Sequence, residues 1–257
     1  ADIAHGFCGL SPGRFPLSEC VGVSPTGVHT KVGHVLWELY QEFPEFQAEY
    51  SDVKVLWFYT ATPYLYITTI KDKPVRSLAD FKGLKLSVGS PTVAARVMAL
   101  GGSAEVQPPG DVYLSLQNKV IDGTLCPYSV QMSRRWAEFC TNIAEVSFGN
   151  MPFFVVMNLD TFNSLPPDVQ QVIEELSGDY AVDLTEKATQ ASEIKSKDRY
   201  INEYGGQINQ FTPEEIAKLE EIIKPVTDKY IADLEAKGLP GKKFVDEMYR
   251  LWDQYKY

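Results

Sequence analysis

The stretch of sequence that decides the fold runs from Leu78 to Pro127 and reads LADFKGLKLSVGSPTVAARVMALGGSAEVQPPGDVYLSLQNKVIDGTLCP. Apolar and polar residues alternate over residues 84–88, which is typical of a half-buried strand. Gly89, Ser90 and Pro91 then break the strand and start a helix, because proline is favoured in the first helical turn. The stretch therefore opens with a strand, a turn and a helix.

A second unit of the same kind follows directly. The helix predicted over residues 92–100 stops at the glycine pair 101–102, where a positive φ costs little. A short strand over 104–107 and a turn lead to Asp111, whose negative charge favours the start of the next helix. A third strand is predicted over 120–125. Two such units on one sheet place strand ends and helix N-termini along one edge, where open α/β sheets bind small ligands.

Several motifs in this stretch resemble those of the substrate-binding proteins of tripartite ATP-independent periplasmic (TRAP) transporters, the family of the C4-dicarboxylate receptor. They are D-x-K-G-L-K-L at residues 80–86, D-V-Y-x-x-L-Q at 111–117 and the Asp-Gly pair at 122–123. The similarity extends to residues 154–158 and 165–170 and back to G-R-F-P-L at 13–17, so it covers nearly the whole chain.

The resemblance implies an α/β, two-lobed periplasmic-binding-protein-like fold with a long helix that spans both lobes. Lobe I is expected to comprise residues 1–70 and 151–192, and lobe II residues 71–150 and 193–257. The resemblance also implies a periplasmic receptor that binds a small organic anion between the lobes and delivers it to membrane permease subunits. Members of this family carry a βαβα segment ahead of the first strand, so we expect part of lobe I to be absent here and apolar surface to be exposed.

One departure from the family concerns the ligand. The family ends its first ligand-facing strand with an arginine that clamps a carboxylate, and the matching residue here is Ser87, which cannot form a two-point charged hydrogen bond. Leu125 and Cys126 stand where many members have Glu and Asn. The receptor role therefore transfers more readily than the identity of the ligand.

The predicted binding site collects polar and aromatic residues near strand ends and turns. In our hypothesis Arg14 supplies the missing positive charge, hydroxyl and amide groups share the remaining hydrogen bonds, and tyrosine rings wall the ligand's apolar part. The simpler interpretations are a plain turn for Arg14, a helix cap for Asn158 and core packing for the aromatic residues. The candidates are Arg14, Phe15, Tyr59, Tyr64, Ser87, Thr92, Pro109, Cys126, Tyr128 and Asn158.

Composition narrows the class of protein. The chain has 257 residues, 44% of them hydrophobic, and a net charge of −10 without a Lys/Arg cluster, so we expect no nucleic-acid partner. No apolar run is long enough for direct membrane insertion, and no signal-peptide pattern is recognisable. Four cysteines and three histidines lack metal-ligand spacing, and no cofactor motif is present, so neither a metal nor a cofactor is expected. The cysteines fit buried free thiols best, although a periplasmic location would favour a disulfide.

Two other functions remain open at this point. An α/β enzyme acting on a small metabolite could use Cys126 as its nucleophile with His5 as the base, but no motif for nucleophilic catalysis supports it. A structural helical protein would leave the chemistry at the strand ends unexplained. Helical spacing runs from residue 166 to about 203, which favours a helix that spans both lobes over a coiled coil, because the apolar stripe fades after Leu184.

Overall fold

In the computed structural model, which describes residues 1–11, 13–23, 31–60 and 65–255, the strands form two sheets. The first has the order β1-β8-β2 and is antiparallel. The second has the order β5-β4-β6-β3-β7-β9, in which β3 runs antiparallel to both of its neighbours. The strands are β1 (Ile3–Phe7), β2 (Val53–Thr60), β3 (Ile67–Thr69), β4 (Lys85–Val88), β5 (Ser103–Val106), β6 (Gly123–Leu125), β7 (Asn142–Ala144), β8 (Pro152–Asn158) and β9 (Gln207–Asn209).

Helices begin where the sequence offers caps. The Ser90 hydroxyl accepts a hydrogen bond from the backbone N–H of Val93, and the Thr212 hydroxyl accepts one from Glu215, as expected for N-cap residues. The helix start predicted at residues 89–91 is thereby confirmed. The helices are α1 (Val32–Glu42), α2 (Pro44–Ala48), α3 (Pro91–Ala99), α4 (Pro109–Gln117), α5 (Tyr128–Ser133), α6 (Leu159–Ser164), α7 (Pro167–Leu176), α8 (Gly178–Tyr204), α9 (Pro213–Ala236) and α10 (Gly241–Gln254).

Each sheet has its own hydrophobic core, and these cores define two lobes that differ from the predicted division of the chain. Strand β3 belongs to the six-stranded sheet of lobe II rather than to lobe I. Helix α10, which the sequence analysis assigned to lobe II, buries Phe244 and Met248 in the core of lobe I with Phe43 and Phe46. The reason is that its apolar stripe packs on α1, a contact that periodicity alone does not specify.

Two helices span both lobes. The predicted single helix breaks into α7 and α8 because Gly178 takes a φ of +56°. Helix α8 packs on β2 of lobe I near its start and on α5 of lobe II further along, so the spanning helix is confirmed. Helix α9 also spans both lobes, since Ile223 lies in the core of lobe II and Leu234 in the core of lobe I.

An apolar surface lies open on lobe I. Within the described residues β1 pairs only with β8, so its other edge is free. Helix α7 buries none of its residues, and Val169, Val172 and Leu176 are exposed. These side chains give α7 an exposed apolar face, and whether a missing part of lobe I would cover it stays a prediction.

Candidate functional site

The two lobes touch where β4 ends. A Cβ placed on Gly89, the residue after β4, would lie 2.9 Å from the Met151 methyl carbon and 3.2 Å from the ring of Phe7. A Cβ on Gly9 would lie 2.8 Å from the carbonyl oxygen of Gly89. The end of β1, the start of β8 and the turn into α3 therefore converge, and we call this meeting point the lobe junction.

A group of aromatic rings extends from the lobe junction across the sheet of lobe I. The ring of Phe153 lies 5.2 Å from that of Phe7, 5.3 Å from that of His5 and 5.1 Å from that of Tyr59, measured between centroids. The Tyr59 hydroxyl lies 2.5 Å from Nε2 of His5. Burial raises the pKa of Tyr59 to about 12, so its hydroxyl keeps its proton at neutral pH. These four rings, the aromatic wall, offer ring faces and polar edges to a flat ligand.

The sequence analysis included only Tyr59 among the aromatic-wall residues. Phe153 is paired with Phe7 on one side and with Tyr59 on the other, which brings three strand-end rings to one face of the sheet. An aromatic residue at the end of each strand is visible in the sequence. The register that aligns them is not, because it depends on the pairing of strands far apart in the chain.

Ser87 lies inside the sheet of lobe II. It is 1% exposed, and its carbonyl accepts a hydrogen bond of 3.0 Å from the Thr124 hydroxyl on β6. The open end of this strand is the turn that follows it, where the Ser90 side chain caps α3. The N-terminus of α3, where a negative charge is favoured, therefore lies at the turn at residues 89–92 rather than at Ser87 itself.

Thr92 and Pro109 lie at the starts of α3 and α4. Thr92 is buried and lines a cavity shared with α9, on a different wall from the aromatic rings. Pro109 is half-buried in the first turn of α4.

Arg14 and Phe15 belong to the other side of lobe I. The Arg14 guanidinium forms an ion pair of 3.1 Å with Asp52, and its side chain is 49% exposed. The Phe15 ring packs in the core on Tyr50 and Phe154, both 5.1 Å away. Because successive residues of a strand point to opposite faces, Phe154 faces away from the aromatic wall, and Phe15 with it. The guanidinium that our hypothesis assigned to the ligand is thus paired with Asp52.

Tyr128 has internal partners for both of its polar groups. Its hydroxyl donates to Glu145 at 2.8 Å, and its backbone N–H donates to Glu193 at 3.0 Å. Ser129 donates a second backbone N–H to the same Glu193 carboxylate, at 2.6 Å. The N-terminus of α5, which could have held a ligand anion, therefore holds a carboxylate from the spanning helix α8.

Cys126 is placed as a core residue. It is 2% exposed, its sulfur lies 3.8 Å from the Thr68 hydroxyl, and burial raises the pKa of its thiol well above the ordinary value. The proposed base, His5, lies in lobe I and is engaged by Tyr59. A neutral, enclosed thiol without a base at hand lacks the activation that a cysteine nucleophile needs.

Asn158 and Tyr64 complete the set of candidates. Asn158 accepts a hydrogen bond of 2.8 Å from the backbone N–H of Thr161 and so caps α6, which is the simpler of its two interpretations. It ends β8 at the opposite end from Pro152, about 20 Å away for a strand of this length, and so lies far from the lobe junction. Tyr64 lies outside the described residues.

Metal and membrane features were also sought in the described ranges. These residues contain no group of three or more His, Cys, Asp or Glu side chains that could hold a metal ion. None of the helices there combines the length and the apolar character needed to cross a bilayer. All four cysteines are buried and unbridged, in agreement with the preferred interpretation of the sequence.

Comparison with known protein families gives one match over most of the chain. The pattern of the family described as "Bacterial extracellular solute-binding protein, family 7" matches residues 38–233. The C4-dicarboxylate-binding periplasmic protein of Vibrio cholerae is 27% identical over 166 residues, which are 64% of this chain and 49% of the relative. The corresponding protein of Rhodobacter capsulatus is 29% identical over 174 residues, 66% of this chain and 51% of the relative. The chain thus spans about half the length of these relatives.

Solved structures share the fold. A marine metagenome TRAP solute-binding protein described as specific for aromatic acid ligands superposes with a TM-score of 0.89 at 22% identity, covering 100% of this chain and 81% of its own. A TRAP solute-binding protein from Rhodoferax ferrireducens, solved with copurified benzoate, also gives 0.89 at 21% identity, covering 99% and 79%. One from Bordetella bronchiseptica with bound mandelate gives 0.87 at 22% identity, covering 100% and 81%.

Proposed function

The chain belongs to the bacterial extracellular solute-binding protein family 7, and from this premise we propose that it is an extracytoplasmic receptor for small organic acids. In this proposal the acid binds between the lobes, at the lobe junction, and the receptor delivers it to the membrane subunits of a TRAP-type secondary transporter. The proposed location is the periplasm, as for the named relatives.

We propose further that the ligand is an aromatic monocarboxylate. The observation that carries this proposal is the aromatic wall, in which Phe153 stacks with His5 and Tyr59 beside the junction. A flat ring can stack there, and rings of this kind contribute about 0.5–1.5 kcal/mol beyond the area they bury. The structurally similar receptors named above, which hold benzoate or mandelate, support the same class.

The polar end of such a ligand would be held by neutral donors. The turn at residues 89–92 leads into α3, whose N-terminal N–H groups and dipole favour a negative charge. A single carboxylate can be satisfied in this way. A C4-dicarboxylate would place two negative charges in a partly desolvated cleft, and with Ser87 in place of the family's arginine the second charge would lack a cationic partner.

Binding should close the lobes. The junction is formed by segments from both lobes, so a ligand that contacts both walls binds the closed form better and shifts the population toward it. The spanning helices α8 and α9 would limit the motion to a hinge, because each is anchored in both cores.

A thermal-shift screen followed by calorimetry tests the function and the ligand class separately. Benzoate at 100 times its dissociation constant should stabilise the protein by about 2.7 kcal/mol, whereas succinate should have little effect. Stabilisation by succinate but not by benzoate would refute the aromatic class and leave the receptor role in place. The absence of stabilisation by any organic acid would refute the receptor role itself.

Substitutions then locate the site. Tyr59→Ala should weaken benzoate binding about 5–30-fold, the equivalent of 1–2 kcal/mol of lost ring contact. The matched control is Tyr113→Ala on α4, whose hydroxyl bonds to Glu138 in lobe II and which should bind like the parent. Arg14→Ala should also bind benzoate like the parent. A large loss of affinity in this variant would show that Arg14 supplies the charge for the ligand, as the sequence analysis predicted.

A further inference from the structure

The cavity that Thr92 lines lies where loop 13–23, the start of α3 and the C-terminal half of α9 meet. Its volume is about 290 Å³, and its lining includes Pro16 and Glu19 from the loop, Thr92 and Ala95 from α3, and Lys229 and Lys237 from α9. The loop belongs to lobe I, α3 to lobe II, and α9 is anchored in both. The cavity therefore lies at a contact between the lobes that is separate from the aromatic wall.

Glu19 is the unusual group in this cavity. Its side chain is 8% exposed, and its Oε1 atom has no hydrogen-bond partner within the described ranges. The neighbouring buried acid, Glu49, does have hydrogen-bond donors. Its carboxylate accepts hydrogen bonds from the backbone N–H groups of Leu17 and Ser18 and from the Ser18 hydroxyl at 2.7 Å. Of the two buried acids, Glu49 is provided with donors for its charge and Glu19 is not.

The charges around Glu19 act in opposite directions. Burial and the negative charge of Glu49 raise the pKa of Glu19 to about 7, against the attraction of Lys237. Burial also raises the pKa of Glu49, but its three hydrogen bonds and the charge of Arg14 oppose the shift. The pKa of Glu49 is still raised to about 7, as is that of Glu19, and the difference between the two acids is that Glu49 has donors for its ionised form.

The other groups that face the cavity leave Glu19 without a fixed partner. On α9, Lys229 is paired with Asp233 at 2.7 Å, and the Tyr230 hydroxyl donates to the carbonyl of Pro16. The part of α3 that lines the cavity consists of uncharged residues. The buried thiols of Cys8 and Cys20 have raised pKa values and stay neutral.

We propose that Glu19 is a pH-responsive latch at the contact between the lobes. When it is uncharged, the Glu19 side chain stays packed between the rest of its loop and α9. Once ionised, its Oε1 atom is buried without a donor among the described residues, which is costly, and the carboxylate turns toward the ammonium of Lys237 at the end of α9. This movement disturbs the seat of loop 13–23, next to the bond from Tyr230 to Pro16 that ties the loop to α9. The latch thereby makes the hold of loop 13–23 on the end of α9, beside this contact between the lobes, weaker at high pH.

The sign of the pH dependence follows from the direction of the shift. The pKa of Glu19 is raised on folding from an ordinary 4.5 to about 7, so the contribution to stability is complete below 4.5 and is lost as pH rises through 7. A shift of this size changes the folding equilibrium constant by up to roughly 300-fold across that range.

The test compares urea denaturation of the parent and Glu19→Gln from pH 5 to pH 8.5, with no ligand present. Glutamine keeps the shape but cannot ionise, so the variant should lose less stability than the parent as pH rises through 7, and what remains is the contribution of Glu49. Relative to the intrinsic, base-catalysed rate of amide exchange, the protection of peptides covering residues 13–23 should fall with pH in the parent only. Glu221→Gln, a substitution at an exposed position of α9, is the matched control and should follow the parent.

A second variant keeps the proposal testable if Glu19→Gln folds poorly. Lys237 is exposed, so Lys237→Met should fold normally, and removal of its charge should move the transition of the parent to higher pH. A profile of Glu19→Gln that is parallel to the parent, or a transition that Lys237→Met leaves in place, would overturn the latch. Because no ligand is used, either result is independent of the receptor function.

Discussion

Gly149→Ala should be among the more damaging single-methyl additions to this protein. Gly149 lies in the segment that crosses from β7 of lobe II to β8 of lobe I, and it takes a φ of +123°. An added Cβ would lie 2.5 Å from the carbonyl oxygen of Gly22 in lobe I and 3.3 Å from Nη1 of Arg96 in lobe II. Arg96 is fully buried and donates to the carbonyl of Phe148 at 3.0 Å and to Thr227 at 3.3 Å, so neither side of the crossing can move freely.

The expected cost has two parts. An alanine at this φ costs about 1–3 kcal/mol, and relieving the overlap with a backbone carbonyl costs a similar amount, as for an overpacked core. The sum is roughly 2–6 kcal/mol of the free energy of unfolding. For a chain of this size each kcal/mol lowers the melting temperature by about 2–4 °C, so the expected decrease is roughly 4–24 °C.

A matched glycine separates the two parts. Gly83 has a φ of +80°, but a Cβ there would meet no atom within 4 Å, so Gly83→Ala should cost only the backbone term of about 1–2 kcal/mol. Urea and thermal denaturation of both variants measure the difference. If Gly149→Ala is no less stable than Gly83→Ala, the contact with Gly22 does not constrain the crossing and the reasoning is refuted.

Two further predictions concern residues that the sequence analysis placed in the binding site. Tyr128→Phe should lower the free energy of unfolding by about 1–2 kcal/mol, because the hydrogen bond to Glu145 is lost, and should leave ligand affinity unchanged. A tenfold loss of affinity in calorimetry would show instead that Tyr128 contacts the ligand. Alkylation of the native protein by iodoacetamide should be slow at Cys126 and become rapid only after unfolding in urea, because the thiol is enclosed and neutral, whereas rapid labelling of the native protein at Cys126 would contradict its burial.

The elements of the central stretch followed from local signals. The strand predicted over residues 84–88 is β4, and the helix predicted over 92–100 is α3, because the turn residues and apolar spacing that define them lie within a few residues of one another. The predicted strand over 120–125 is shorter in the structure, where β6 is Gly123–Leu125. Local chemistry specifies that an element exists better than it specifies where the element ends.

The residues of the binding site were harder to predict from local sequence signals. Arg14 looked free to meet a ligand, but Asp52, 38 residues away, is its partner. Tyr128 looked like a ligand wall, yet the start of its helix is occupied by Glu193 from α8. In each case the competing partner lies far away in the chain, so no local sequence pattern predicts the contact.

The sequence by itself determined the βα units, the family and the presence of a helix that spans both lobes, because periodicity, caps and motifs are properties of neighbouring residues. Only the tertiary structure decided that α10 joins lobe I, that the rings of Phe7, Phe153 and Tyr59 meet in one wall, and that Oε1 of Glu19 is buried without a donor in the described part of the chain. These features depend on strand register and on which faces pack together. Register and packing are set by contacts between distant segments, whose free energies are summed over the whole fold rather than encoded at any one position.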